Sequence, residues 1–383
     1  MFLREFKFVL ALFIGIFLLF NLSGTAEDLK IGVDLNGDGS YQTNEEFNNF
    51  QNSLSSAGPG DTISILPSYE EYSSSGTGHP GLWKSKYVTV QGNYAYVNMH
   101  TRPGGLVKYD VSDPRKPIAV DFWKTPYFPN GPNTNAVQDG YVFMGLNGGG
   151  LGLINANDSG SGNIQTANYS GWQAFDIDVE GNYAYLADTT GNGLVVFDIS
   201  EKANPNVVAN IPAFSGGVRV SGDYAYFTNY LSGKLEIYDI SSPENPSFLS
   251  NIEVGNFPVP LEVKGSYAFV QEYLGNVVHI VDVSNPSNPS TITGGKITLP
   301  GTIPNGGAVR INGDTMYATT RTDNGGIVSV YDITDKPNPK KITQYSGSYG
   351  GNGFEFTSGD VKGTDVYAAL YHSSVVEENK LVV

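Results

Sequence analysis

A turn that keeps returning constrains this chain more than any other feature. A Gly-x-Tyr-type turn recurs at Gly92, Gly140, Gly181, Gly222, Gly265, Gly313 and, more weakly, Gly363. One full unit surrounds Gly181. Ala174-Phe175-Asp176-Ile177-Asp178-Val179-Glu180 leads into the turn, and Tyr183-Ala184-Tyr185-Leu186-Ala187-Asp188 leads out. Gly193-Leu194-Val195-Val196-Phe197-Asp198 follows, then an Asp-Ile-Ser turn and Pro205-Asn206-Val207-Val208. Alternating β-branched and aromatic residues between Gly, Asn, Asp and Pro clusters predict four short antiparallel strands, here A to D. The unit repeats about every 41 to 50 residues, the period of a propeller blade. The reading is therefore all-β: a seven-bladed β-propeller of four-stranded antiparallel blades over residues 87–383. Residues 379–383 align with 192–196 and then stop, so the last blade is expected to lack its own outer strand.

The C strand recurs as Leu106-Val107-Lys108-Tyr109-Asp110, Leu194-Val195-Val196-Phe197-Asp198, Leu235-Glu236-Ile237-Tyr238-Asp239, Val278-His279-Ile280-Val281-Asp282 and Val328-Ser329-Val330-Tyr331-Asp332. In this the chain resembles the LVIVD-repeat proteins, a family of extracellular β-propellers without a single shared activity. The resemblance implies a fold and leaves function open. Unit two departs from it, with Asn155 in place of the terminal Asp and a Gly-Ser-Gly run in place of the Pro turn.

Composition narrows the function classes. The 383 residues carry a net charge of −16 and no cysteine. Such a balance speaks against a nucleic-acid groove or attraction to anionic lipid, and no disulfide or thiolate chemistry is available. At the N-terminus, Arg4 and Lys7 precede an apolar run over residues 8–20, and Gly24-Thr25-Ala26 offers small residues for cleavage. Residues 1–26 thus read as a signal peptide, with no membrane span in the mature chain and a secreted or cell-surface location.

Residues 27–72 are expected to form a small N-terminal strand–helix–strand element, joined by a linker over 73–86. Two readings of its first loop compete. Asp34, Asn36, Asp38, Ser40 and Glu45 match the spacing of a calcium loop, with Gly39 at the sharp turn. Equally, residues 31–72 resemble the opening cap of pectin-lyase-type β-helix proteins, through Gly37-Asp38-Gly39-Ser40-Tyr41 and Pro59-Gly60-Asp61-Thr62-Ile63. That resemblance implies a structural cap with no catalytic residue and makes the loop a plain Asx-rich turn. The segment Thr62-Ile63-Ser64-Ile65-Leu66 has strand composition and is expected to pair beside residues 380–383 as the missing outer strand.

Antiparallel blades place the A–B and C–D turns on one face and the B–C and D–A loops on the other. The first set varies little from unit to unit and reads as structural. The second set varies in every unit, and variable loops on a rigid scaffold are where recognition sits. The candidate ligand site is accordingly Trp123, Trp172, Tyr230, Tyr273 and Arg321, with His100 and Glu272 as polar contacts. Aromatics flanked by amides and carboxylates suit a carbohydrate or protein ligand and a non-catalytic role. The alternative is an extracellular glycan hydrolase or lyase using loop carboxylates such as Glu272 and Asp323.

Overall fold

The computed structural model describes residues 85–383 apart from 100–103, 115–116, 125–130, 149, 159–164, 168–172, 302–306, 323–324, 348–353, 364, 373–380 and 383. The expected signal peptide, calcium loop, N-terminal element and outer strand at Thr62 to Leu66 lie outside these residues, as do His100, Trp172 and Asp323. Among the described residues every regular element is a strand.

Six four-stranded antiparallel sheets follow one another along the chain, each in the order A-B-C-D. Their A strands are Ser85–Gln91, Pro132–Gln138, Ala174–Glu180, Ser215–Ser221, Pro258–Lys264 and Val309–Asn312, and they open blades 1 to 6. A terminal sheet has three strands: Phe354–Lys362, Asp365–His372 and Leu381–Val382. The described residues thus form six four-stranded blades where seven blades were expected, and the seventh repeat contributes a sheet of three strands. Leu381 and Val382 pair with Ala369 and Ala368 in the C position. The inner strand of the terminal sheet lies against the A strands of blades 1 and 6.

The hairpin turns explain the glycine repeat. In blade 3, Glu180 pairs with Tyr183, leaving a two-residue loop whose first residue, Gly181, has φ +60°. Positive φ at the first position is the mark of a type II′ turn, whose twist matches the flanking strands. Blade 2 solves the same problem differently. Asp139 and Gly140 both have positive φ, 52° and 77°, between paired Gln138 and Tyr141, which is the Asp-Gly type I′ turn.

The LVIVD strand is apolar without alternation because both its faces are covered by neighbouring blades. Every residue from Gly193 to Phe197 is buried. The core is therefore a series of layers between blades. Tyr185, Leu194 and Val196 of blade 3 pack with Val218, Ala225 and Phe227 of blade 4. Tyr367 of the terminal sheet packs into the Val88, Val97, Val107 and Tyr109 cluster of blade 1, so the ring closes by the same kind of layer.

Two glycines separate turn strain from close packing. A Cβ at Gly181 would meet nothing within 4 Å, whereas one at Gly217 would lie 2.2 Å from the Val259 carbonyl oxygen of the next blade. Gly181→Ala is expected to cost only about 1–2 kcal/mol of left-handed backbone strain. Gly217→Ala must push two inner strands apart and is expected to cost more. Urea unfolding of both variants checks the order, and a larger loss for Gly181→Ala would contradict it.

Candidate functional site

The variable face is built by a repeated backbone clasp. Just after the B strand in blades 3 to 5, an N–H donates to a carbonyl just before the A strand: Thr189 to Gln173 at 3.1 Å, Tyr230 to Phe214 at 3.1 Å and Tyr273 to Phe257 at 2.8 Å. Each clasp sets a D–A residue beside a B–C residue at the mouth of the ring. In blades 4 and 5 these residues are aromatic. The Phe214 and Tyr230 rings meet edge-on at 5.9 Å, Tyr230 stacks with Phe257 at 6.2 Å, and Phe175 meets Tyr273 at 6.4 Å. Such arrangements favour the ring quadrupoles. The Tyr230 hydroxyl donates to the Thr189 carbonyl at 3.1 Å.

This shelf is open to solvent. Phe214 and Phe257 are each 39% exposed, and Leu231 and Leu274 are exposed beside them. Phe257 also has φ +48°. For Asp139 a positive φ is turn chemistry, but a bulky aromatic in that region costs on the order of 1–3 kcal/mol and marks a place where the surroundings over-determine the backbone.

The expected site residues separate on this face. Tyr230 and Tyr273 stand on the shelf. Glu272 lies below it, with Oε1 2.7 Å from His279 Nε2. Gly255 and Gly275 wrap it so closely that a Cβ on either would strike its carboxylate. Trp123 is 3% exposed in the D strand of blade 1, packed with Leu106, Val142 and Met144, so it offers no surface to a ligand. Arg321 lies in strand Thr315–Thr322 opposite Gly326. Among the described residues no group of three or more His, Cys, Asp or Glu could hold a metal ion.

The opposite face is made of Asx turns. Asp110, Asp198, Asp239, Asp282 and Asp332 accept the backbone N–H two residues on at 2.8–2.9 Å. Hydrogen bonds from Ser or Thr at that position hold all five carboxyls below the usual range. Their repetition is accounted for by turn closure.

Sequence reasoning missed the axis. Three residues before the turn glycine, blades 3 to 6 and the terminal sheet carry Asp178, Arg219, Glu262, Arg310 and Asp360, an alternation of sign that was legible in the repeat. In the fold they meet. Arg219 bonds Asp176 at 2.6 Å and Glu262 at 3.3 Å, while Arg310 approaches Glu262 at 3.7 Å and Asp360 at 3.5 Å. The Tyr87 hydroxyl accepts from Arg310 Nη2 at 2.7 Å and reaches Asp176 Oδ1 at 3.5 Å. A residue of blade 1 thus touches blades 3 and 6, and the side chains form a closed cycle across the axis.

The acids of this hub also stitch inner strands together. Asp178 accepts from Val220 N at 2.8 Å, and Asp360 from Val90 N at 2.6 Å. Four carboxylates, Asp176, Asp178, Glu262 and Asp360, face two guanidiniums. Burial pushes Asp178 up to about 6, against the pull of Arg219 and two backbone N–H groups. It also raises Asp360 despite Arg310. Burial opposes the Arg219 charge, but Asp176, Tyr87 and Glu262 outweigh it and hold that group well above its ordinary value.

Comparison with known proteins agrees with this architecture. The family model described as LVIVD repeat matches residues 84–125, 171–211, 215–254 and 260–293. No curated protein matches the sequence. Among solved structures, that of U3-55K superposes with a TM-score of 0.59 at 10% identity, covering 84% of this chain and 97% of that one. The periplasmic gluconolactonase PpgL of Pseudomonas aeruginosa gives 0.57 at 14% identity, covering 70% and 86%. The WD40 β-propeller domain of Doa1 gives 0.57 at 8% identity, covering 80% and 94%. Identities this low speak to the fold alone. Four LVIVD repeats thus lie in blades 1, 3, 4 and 5 of a propeller, an arrangement consistent with the LVIVD-repeat β-propeller proteins that this chain resembles.

Proposed function

We propose that this is a secreted or cell-surface, non-catalytic binding protein that recognises a carbohydrate or protein ligand through the face formed by its B–C and D–A loops. The observation that carries this reading is the solvent-open shelf of Phe214, Tyr230 and Phe257, with Phe257 held at a backbone angle that aromatic residues avoid. Aromatic rings offer large contact area at low entropic cost. The glycan hydrolase or lyase reading is less favoured, because the carboxylates described near this face are engaged. Glu272 is bound to His279, and Asp188 accepts from Gln173 N and Thr190 N.

Screening the mature chain on glycan and peptide arrays tests the reading. Binding is expected to be weakened by Phe214→Ala and Phe257→Ala and untouched by Asp239→Ala or Asp282→Ala on the other face. The reverse pattern in folded variants would place the site on the wrong side. Phe257→Gly adds a sharper result: relief of about 1–2 kcal/mol of strain offsets lost ring contacts. Its stability in urea should stay within about 1 kcal/mol of wild type while binding falls. A large loss of stability would make Phe257 a structural residue.

We further propose that Asp34, Asn36, Asp38, Ser40 and Glu45 bind calcium. Calcium is then expected to raise the melting temperature of the mature chain by mass action. No binding heat and an unchanged melting profile in chelator would leave the plain turn.

A further inference from the structure

The geometry points to a polypeptide as the occupant of the shelf on blades 4 and 5, one that inserts apolar side chains between basic residues; this rests on the face assigned above. Eight large hydrophobic side chains are exposed among the described residues, and four of them, Phe214, Leu231, Phe257 and Leu274, belong to this one rim. The other four, Tyr94, Ile118, Phe248 and Ile342, are instead scattered over strands of blades 1, 4 and 6, as surface apolar residues ordinarily are.

The two leucines decide between ligand classes. Tyr230-Leu231 and Tyr273-Leu274 occupy the same place in successive B–C loops, and the leucines are 56% and 46% exposed. A sugar needs a flat ring face together with partners for its hydroxyl groups. A branched aliphatic side chain supplies neither. The polar groups beside the rings are, moreover, engaged within the protein. Tyr230 donates to Thr189, Asn229 Nδ2 donates to Glu236, and Asn229 Oδ1 accepts from Ser232 N. The surface left over suits Leu, Phe or Trp side chains, the usual anchors of polypeptide recognition.

Charge selects what flanks those anchors. Residues 215–298 carry eight Asp and Glu against four Lys and Arg, within a chain of net charge −16. That field favours a partner with Lys or Arg beside its apolar residues and speeds its encounter at low salt. It also opposes pairing with a second copy of the same acidic chain.

The test uses the mature chain on arrays of short synthetic peptides. One set carries Leu, Phe or Trp anchors flanked by Lys and Arg, a second the same anchors flanked by Asp and Glu, and a third the basic residues with Ser in place of the anchors. A glycan array runs in parallel. The first set is expected to bind best and to weaken as salt rises. Joint Leu231→Ser and Leu274→Ser should reduce that binding about tenfold or more without lowering the melting temperature. Glycan binding at this rim without peptide binding would keep the face and overturn the peptide partner. Equal binding of the second or third set would overturn it too. So would self-association, seen in sedimentation, that the two leucine changes abolish. Silence on every array would remove both this inference and the binding function beneath it.

Discussion

Arg219→Ala is expected to lower the unfolding free energy by about 3–5 kcal/mol, the range for removing one partner of a buried ion pair. Arg219 stands between Asp176 and Glu262 at 2.6 and 3.3 Å, with its side chain 14% exposed. Alanine leaves Asp176 without its guanidinium and Glu262 with only the longer contact to Arg310, and that uncompensated charge is the main source of the loss. Lysine restores the charge but not the planar fork that reaches both acids, so Arg219→Lys should fall between alanine and wild type. Urea unfolding at neutral pH measures all three. A loss below about 1 kcal/mol for alanine would put the pair in the class of solvated surface bridges and remove the axial cycle as a source of stability.

The second large effect depends on pH. Burial pushes Asp178 up to about 6 in the folded protein, against the ordinary 3.8 of an exposed carboxyl. Between those values the folded state holds a proton that the unfolded state has released. Its contribution is thus fully present below about pH 4 and lost as pH rises through about 6, a change on the order of 3 kcal/mol. Asp178→Asn removes the ionisation and can still accept from Val220 N. The stability of this variant relative to wild type is expected to rise by that amount from about pH 4 to pH 7. The check is a series of urea melts across that interval on both proteins. A difference that stays flat with pH would mean that Asp178 is ionised in the folded protein throughout.

What could be read from the sequence was local. Turn glycines, the Asp-Gly turn of blade 2 and the apolar C strands each depend on a few adjacent residues, so their spacing gave the blades. Trp123 was misread because an aromatic near the end of a D strand resembles a loop residue in one dimension. In the fold it lies within strand Ile118–Lys124 and turns into the layer shared with blade 2. The axial cycle joins residues as far apart as Tyr87 and Arg310. Only alignment of the repeats on their turn glycines shows the acid–base alternation that foretells it. Strain at Phe257 has no sequence signature, since it is a property of the backbone angle. Tyr230 and Tyr273 were legible as loop aromatics because B–C loops vary from unit to unit, whereas the exposure of Leu231 and Leu274 beside them was not.

The most direct measurement of the central claim is hydrogen exchange, read by mass spectrometry on the protein with and without the tightest-binding peptide from the arrays. Recognition by the shelf predicts new protection of the backbone amides at Tyr230 to Gly233 and Tyr273 to Asn276, with the Asx turns at Asp239 and Asp282 unchanged. Protection confined to those turns, with the two B–C loops exchanging as before, would contradict it.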